Sequence, residues 1–569
     1  MASSSSRVSL LALHVSLSLF AIVPTPSRGF SASSSSRPNR ISNLLDWASK
    51  NQIQVSPRID LRADEATGVG WFFSSKGGDS KSNSDLLLTV PSSVALTVES
   101  PGRGPDDETV VEDFFSSDDR DLRKSFQDDL PWFVEMAAYL LKLKYVDSTA
   151  KKAKDEVVDY RPWLDALPQK LDTPIHWTQE EISELQYDYL VDSVKAQKRK
   201  WEGLYEKLQF LLSESTASRL VTWDDFVWGC EMARSRAFSG TTTDAFDPKF
   251  AIFTLILVAA YLGLGLGTLE QAANGAGVVF SVAILKDFVL PKLFKKKSYV
   301  ICPVIDMCNH NSANPQGQVS FEFFGDAYSL SLLPGGASSS AQEGGQQLYI
   351  SYGSRSNDQL LQYYGFVEPA NPCDVYIMPP LREWDINALE EATGRTVGPG
   401  RLEKIDRTGL LGKKQQEGKE ATEEDADDSR NSDGSGGDDD DDILGAKVAN
   451  PKGGVVITRS TGVDPAVMQA LRALLSTDEE WEAAGQAVGN FCEVVNQQNE
   501  ACARLAARKA IQNELDGKPT TLQEDEDLLR RMESEMSKKT DSASYQEKLA
   551  MMFRIEKKRL LIETIQDLQ

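Results

Sequence analysis

Short apolar runs bounded by glycine and polar residues alternate along this chain with long stretches of helical periodicity. Asn43 to Ser49 reads as a helix, followed by a glycine-containing turn at Thr67-Gly68-Val69-Gly70. Trp71-Phe72-Phe73 and Leu86-Leu87-Leu88-Thr89-Val90 are strand-like. From Pro131 to Arg236 the pattern is helical: Trp132, Met136 and Leu140 share a face at four-residue spacing, and Trp201, Tyr205 and Leu208 repeat it. Strand and turn return from Val300 to Met378, with Ser320-Phe321-Glu322-Phe323 and Gln347-Leu348-Tyr349-Ile350. Near the C-terminus, Asp464-Pro465 is a good N-cap and first-turn pair. Tyr545, Leu549, Met552, Phe553, Leu560, Leu561 and Ile565 then predict an amphipathic helix whose charged face holds Glu547, Arg554, Lys557 and Lys558.

Three segments break this plan. Ala251 to Gly267 is a run of 17 residues without charge, and Ala272 to Leu285 is a second apolar stretch leading to Lys292, Lys295, Lys296 and Lys297. Both are at or below the roughly 20 residues needed to span a bilayer. Membrane association through 251–285, as a hairpin or interfacial anchor, is one expectation, and a packed insertion is the other. Between Glu417 and Asp442 lie 13 acidic and 2 basic residues with a Ser/Gly cluster, the composition of a solvated linker. The first 40 residues carry Arg7, Arg28, Arg37 and Arg40, many serines and no acidic residue. With the apolar stretch Val8 to Val23, they read as a bipartite leader to a plastid (chloroplast) reached through the secretory route, or as a simple transit peptide.

At 569 residues the chain calls for two or three structural units. Its net charge of -24 argues against nucleic acid as a partner, because phosphate binding needs a basic footprint. The six cysteines include no CxxC pair, so neither a metal centre nor a disulfide framework is indicated. Three histidines leave little room for histidine-based chemistry.

The chemistry-bearing residues come in a fixed order. Arg234-Ser235-Arg236-Ala237-Phe238 precedes Asp306-Met307-Cys308-Asn309-His310, and Ile350-Ser351-Tyr352-Gly353-Ser354-Arg355-Ser356-Asn357 leads to Tyr363-Tyr364-Gly365-Phe366. This order resembles the SET domain of the Rubisco large-subunit lysine methyltransferase family. Arg161-Pro162-Trp163-Leu164 and Asp172-Thr173-Pro174-Ile175-His176-Trp177 are similar to that family's helical insert, and the segments Leu522–Leu529 and Tyr545–Ile565 to its C-terminal lobe.

The resemblance implies an α+β protein: a SET-domain β-fold with a helical insert, followed by an all-α C-terminal substrate-binding lobe. The corresponding boundaries are a leader over 1–40 and a SET domain over 41–378, with its helical insert at about 105–235 and the apolar insertion at about 248–297. The lobe covers 379–569, with the acidic linker at about 404–450. It implies S-adenosyl-L-methionine as methyl donor and a lysine-bearing, non-histone protein as acceptor. Donor-binding positions would be Thr67, Gly68, Val69, Gly70, Arg236, Asn309, His310, Tyr352 and Phe366. Tyr352, Tyr364 and Arg236 would be catalytic, and Ser235, Phe321 and Tyr364 would line the acceptor channel. Phe321 is a loose match, and the insertion between Arg236 and Asp306 is far longer than the family's connection. A SET-fold binding or assembly protein without activity is the alternative, disfavoured by intact Arg236, Asn309, His310, Tyr352 and Tyr364. A histidine methyltransferase is a further one, disfavoured because Tyr364 is present in Tyr364-Gly365-Phe366.

Overall fold

The computed structural model describes residues 37–64, 68–74, 85–100, 130–145, 149–151, 157–211, 221–240, 297–322, 326–333, 345–412, 453–536 and 543–569. The segment 251–285, the acidic tract 417–442, Thr67 and nearly all of the leader lie outside these residues. Among the described residues, no helix is long and apolar enough to cross a membrane.

Small sheets carry the N-terminal half. The largest has six strands in the spatial order Gln54–Val55, Leu86–Pro91, Ala327–Leu332, Gly317–Glu322, Tyr349–Ile350 and Asn309–His310. Its last pair is parallel, with Asn309 opposite Tyr349 and His310 opposite Ile350. That register sets the Asn-His pair beside the segment leading into Tyr352. Gly68–Phe73 pairs antiparallel with Ile59–Asp64, so Gly68, Val69 and Gly70 begin a strand rather than form the expected turn. Only Gly68 keeps a turn-like backbone, at φ 72°.

Helices pack over this framework. Trp132–Tyr145 lies against Trp223–Arg236, and the Trp132 ring stacks on Tyr299 at 3.9 Å. Trp223–Arg236 starts at a capping box between Thr222 and Asp225 and ends at Ala237, which places Ser235 and Arg236 at its C-terminal end. The expected helical stretch from Pro131 to Arg236 also contains a two-stranded ribbon, Thr149–Lys151 with Val157–Asp159.

The apolar side chains form two cores. One runs from Leu44 to Ile350; the other joins Trp177–Val194 of the insert to the C-terminal lobe. That lobe is helical, built on Pro465–Leu474, Gln497–Asp516, Leu522–Met536 and Ala543–Asp567. Asp464 caps the first of these with Pro465 behind it, as expected. A three-stranded sheet of Val375–Met378, Val455–Thr458 and Gly462–Val463 sits at its base.

The C-terminal helix corrects one expectation. Arg554, Lys557 and Lys558 are buried, not a solvated face. Lys557 lies 2.5 Å from Asp358 and 2.8 Å from Asp374, and Arg554 and Lys558 both pair with Asp525. Buried cations need such partners, and here they come from distant parts of the chain.

Candidate active site

The site forms where three chain segments meet. The turn Ile305–Met307 is entered through Val304, held at φ 78°. A β-branched residue in that region costs about 1–3 kcal/mol, which the surrounding packing must offset. The turn delivers Asp306 into the interior. Its carboxylate accepts from Trp163 Nε1 at 3.2 and 3.3 Å and from an Arg236 terminal nitrogen at 3.0 Å, which also donates to the Asp306 carbonyl at 3.0 Å. Burial pushes the Asp306 carboxyl above its ordinary value, and the Arg236 guanidinium opposes that rise.

The second segment is the strand Tyr349–Ile350 and its continuation to Tyr352. The Tyr352 hydroxyl donates to the Cys308 carbonyl at 2.6 Å, and its backbone N–H donates to His310 Nδ1 at 3.0 Å. The third is the helix entry at Asn357. Ser356 caps it in a reciprocal box with Gln359, and Leu360–Tyr364 then form one wide turn with bonds spanning five residues, a feature frequent at functional sites. Gly365 ends that turn at φ 76°, where a Cβ would come within 3.0 Å of the Asp172 backbone nitrogen. Only glycine fits both conditions comfortably.

These segments gather four rings, three of them stacked. Tyr352 lies 4.9 Å from the His310 ring and 5.2 Å from Tyr364, both in stacked geometry. Phe366 closes the group, 6.1 Å from His310 and 6.3 Å from Tyr364. Beside them is a pocket of about 190 Å³ lined by Arg236, Asp306, Cys308, Tyr352 and Tyr364, with Ser235, Ser351, Ser354 and Arg355 also in its wall. Burial raises the Tyr352 phenol well above its usual value, so it stays protonated at neutral pH.

A second feature adjoins this group. Asn309 Nδ2 donates to the Val69 carbonyl at 3.3 Å. A Cβ at Gly70 would collide with the Gln347 side-chain amide and come within 2.8 Å of Asn309 Nδ2. Gln347 Nε2 is buried with no hydrogen-bond partner, as is Arg236 Nε. An unmade bond at a buried donor is costly, so this cradle is suited to a ligand carrying acceptors.

Of the sequence-derived positions, Ser235, Arg236, Tyr352 and Tyr364 meet in the pocket. His310 and Phe366 join the ring stack, and Val69, Gly70 and Asn309 form the cradle. The Ser235 hydroxyl donates to Glu231 O of its own helix at 2.6 Å. Phe321 does not reach the site. It is 45% exposed and packs on Tyr328 across the hairpin. Gly317 is the residue of its strand that pairs with Ile350, and four further residues of strand carry Phe321 about 13 Å away. Asp306, Cys308, Trp163, Gln347 and Glu368 join the site or its support without being among the expected positions. Asp306 and Cys308 lie inside the Asp306–His310 motif; nothing in the sequence around Gln347 or Glu368 marks them.

Residues 441–561 match the family described as Rubisco LSMT substrate-binding. The chain is similar, at 24% identity over 61% of its length and 55% of the relative's, to an Arabidopsis thaliana chloroplastic [fructose-bisphosphate aldolase]-lysine N-methyltransferase. It is similar, at 24% identity over 59% of its length and 51% of the relative's, to the Saccharomyces cerevisiae protein-lysine N-methyltransferase EFM1. The chain thus spans about half the length of these curated relatives. A crystal structure of the SET domain of LSMT bound to lysine and AdoHcy aligns at 16% identity with a TM-score of 0.49, covering 93% of this chain and 91% of that one. These likenesses are to lysine N-methyltransferases, and over residues 441–561 to the family described as Rubisco LSMT substrate-binding.

Proposed function

We propose that the chain is an S-adenosylmethionine-dependent protein-lysine N-methyltransferase. The observation that carries this reading is the pocket in which Arg236, Asp306, the Cys308 carbonyl and the Tyr352 and Tyr364 rings converge beside the Gly70–Asn309–Gln347 cradle. The cradle fits the donor: backbone can approach closely at Gly70, and the bare Gln347 amide offers a hydrogen bond to a carboxylate or an adenine nitrogen. Val69, Gly70, Asn309, His310, Gln347 and Phe366 would hold it. When bound, the donor supplies an electrophilic methyl on a sulfonium.

The protein's own contribution is position and protonation. Tyr352 spends its proton on the Cys308 carbonyl, so its oxygen presents lone pairs to the pocket. With its phenol held protonated, Tyr352 orients the incoming amine rather than deprotonating it. A lysine of pKa about 10.4 is neutral at pH 7 at a cost of roughly 4.6 kcal/mol. Removal of the amine from water in the pocket, and the positive charge a bound sulfonium would bring, lower that cost by disfavouring the ammonium. Methyl transfer then gains mainly from alignment of the two reactants.

Tyr364 in the pocket wall supports lysine over histidine as acceptor. A plastid address rests on the composition of residues 1–40 and on the chloroplastic Arabidopsis relative, against the yeast one. The test is incubation of the purified chain and labelled S-adenosylmethionine with plastid protein extract. Label recovered as methyl-lysine in a discrete protein is the expected result, and donor binding without transfer to any extract would favour the binding-protein reading.

A further inference from the structure

A continuous buried chain of polar contacts runs from the C-terminal helix to the ring stack. Lys557 Nζ lies 2.8 Å from Asp374 Oδ1. Asp374 accepts from the Asn357 backbone N–H and from its Nδ2, both at 3.0 Å. Asn357 in turn accepts from the Glu368 N–H at 2.9 Å and donates to the Glu368 carbonyl at 3.0 Å. The Glu368 carboxylate accepts from the Ser312 N–H at 2.8 Å and the Ser312 hydroxyl at 2.6 Å; its Oε2 lies 3.5 Å from His310 Nε2, a buried ring nitrogen that makes no hydrogen bond of ordinary geometry. His310 Nδ1 accepts the Tyr352 N–H. Lys557, Asp374, Asn357, Glu368 and His310 are all buried.

We infer that Glu368 is a positioning residue for the methyl transfer proposed above, on which this inference rests: its carboxylate holds His310 as the Nε2–H tautomer. The logic is one of donors and acceptors. The Tyr352 N–H needs a bare nitrogen at Nδ1, so the imidazole proton belongs on Nε2. At Nε2 the facing group is the Glu368 carboxylate. The opposite tautomer sets N–H against N–H at Tyr352 and a bare nitrogen against a carboxylate at Glu368. Glu368 remains charged: burial alone would raise its pKa, but the facing His310 ring and the hydrogen bonds from Ser312 hold it below the ordinary value. Glu368 is not part of the pocket wall and acts through His310 on the Tyr352 backbone and ring.

The test uses the full chain labelled with ¹⁵N-histidine, which has three histidines to assign. Long-range ¹⁵N–¹H spectra report which ring nitrogen carries the proton. Wild type is expected to show His310 protonated at Nε2 alone at pH 7. Glu368→Leu is expected to populate the other tautomer and to lower turnover of labelled S-adenosylmethionine on plastid extract at least tenfold. Donor affinity by calorimetry should fall by less than turnover does, because the disturbed His310 ring acts mainly on Tyr352. Glu368→Gln keeps one acceptor oxygen and is expected to restore the tautomer and most of the rate. An unchanged His310 spectrum in Glu368→Leu overturns the inference, as does a changed spectrum with unchanged turnover. Should Glu368→Leu not fold, Ser312→Ala decides: it leaves the carboxylate facing His310, so a proton appearing on Nδ1 refutes the assignment. Absence of transfer by wild type would defeat the proposed function, while the spectra would still judge the Glu368–His310 pair.

Discussion

Tyr352 donates its hydroxyl proton to the Cys308 carbonyl at 2.6 Å, across 44 residues of sequence. The bond locks the phenol oxygen at the pocket wall with its lone pairs unused. Tyr352→Phe keeps the ring stack and loses only that oxygen. Turnover should fall about 10- to 100-fold with donor affinity within about twofold, since the lost contact acts on the reacting geometry. The wild-type rate should rise from about pH 7 to 9 as acceptor lysine becomes neutral, with no downturn from the raised Tyr352 phenol. Methyl-transfer rates of both proteins across that range check this, and equal rates would make Tyr352 a packing residue.

The cradle makes a separate prediction. Gly70→Ala places a methyl against the Gln347 and Asn309 amides. The strand pairing of Arg62 with Gly70 need not change, so the fold should survive. Donor affinity measured by calorimetry should drop at least tenfold, about 1.4 kcal/mol. A variant that binds the donor as wild type does would place the donor elsewhere.

Lys557 joins the two halves of the molecule. It pairs with Asp358 and Asp374 and donates to the Val375 carbonyl at 2.6 Å. Lys557→Met would leave two buried carboxylates facing each other. Unfolding in urea should show a loss of about 3–5 kcal/mol, the usual result of removing one partner from a buried ion pair. A loss under about 1 kcal/mol would mean that Asp358 takes up a proton and neutralises the site cheaply.

Much of this architecture could be read from sequence because it is local. The capping of Pro465–Leu474 and the strand Leu86–Pro91 follow from neighbouring residues. Arg236, Asn309, His310, Tyr352 and Tyr364 sit in ordered motifs, and the fold brings these motifs together. What stayed hidden depends on contacts across the chain. The burial of Lys557 is not legible along the helix because its partners Asp358 and Asp374 lie 199 and 183 residues away. Phe321 was misplaced because spacing along a strand says nothing about which end of it touches the site. Gly70 sits in a strand because its pairing with Arg62 outweighs the turn preference of two glycines.

Asp172 sets the final expectation. Its backbone abuts Gly365 at the end of the wide turn, and its Oδ1 accepts from Gln546 Nε2 of the C-terminal helix at 3.5 Å. Oδ2 is buried without a hydrogen-bond partner. Burial, reinforced by Glu231 and opposed by Lys170 and His176, raises its pKa from 3.8 to about 6. The folded state therefore holds this proton more tightly than the unfolded chain does. Stability from Asp172 is fully present below about pH 4 and is lost as pH rises through about 6. The shift corresponds to about 1–3 kcal/mol, the lower part of that range applying because the carboxyl keeps some solvent contact. Asp172→Asn mimics the protonated form at every pH and supplies an N–H where Oδ2 is unpartnered. Urea midpoints of wild type and Asp172→Asn should thus diverge between pH 4 and 6, with the variant gaining on wild type as pH rises. Parallel curves over that interval would show that Asp172 is ionised in the folded protein throughout, and that solvent reaches it more freely than its packing against Gly365 implies.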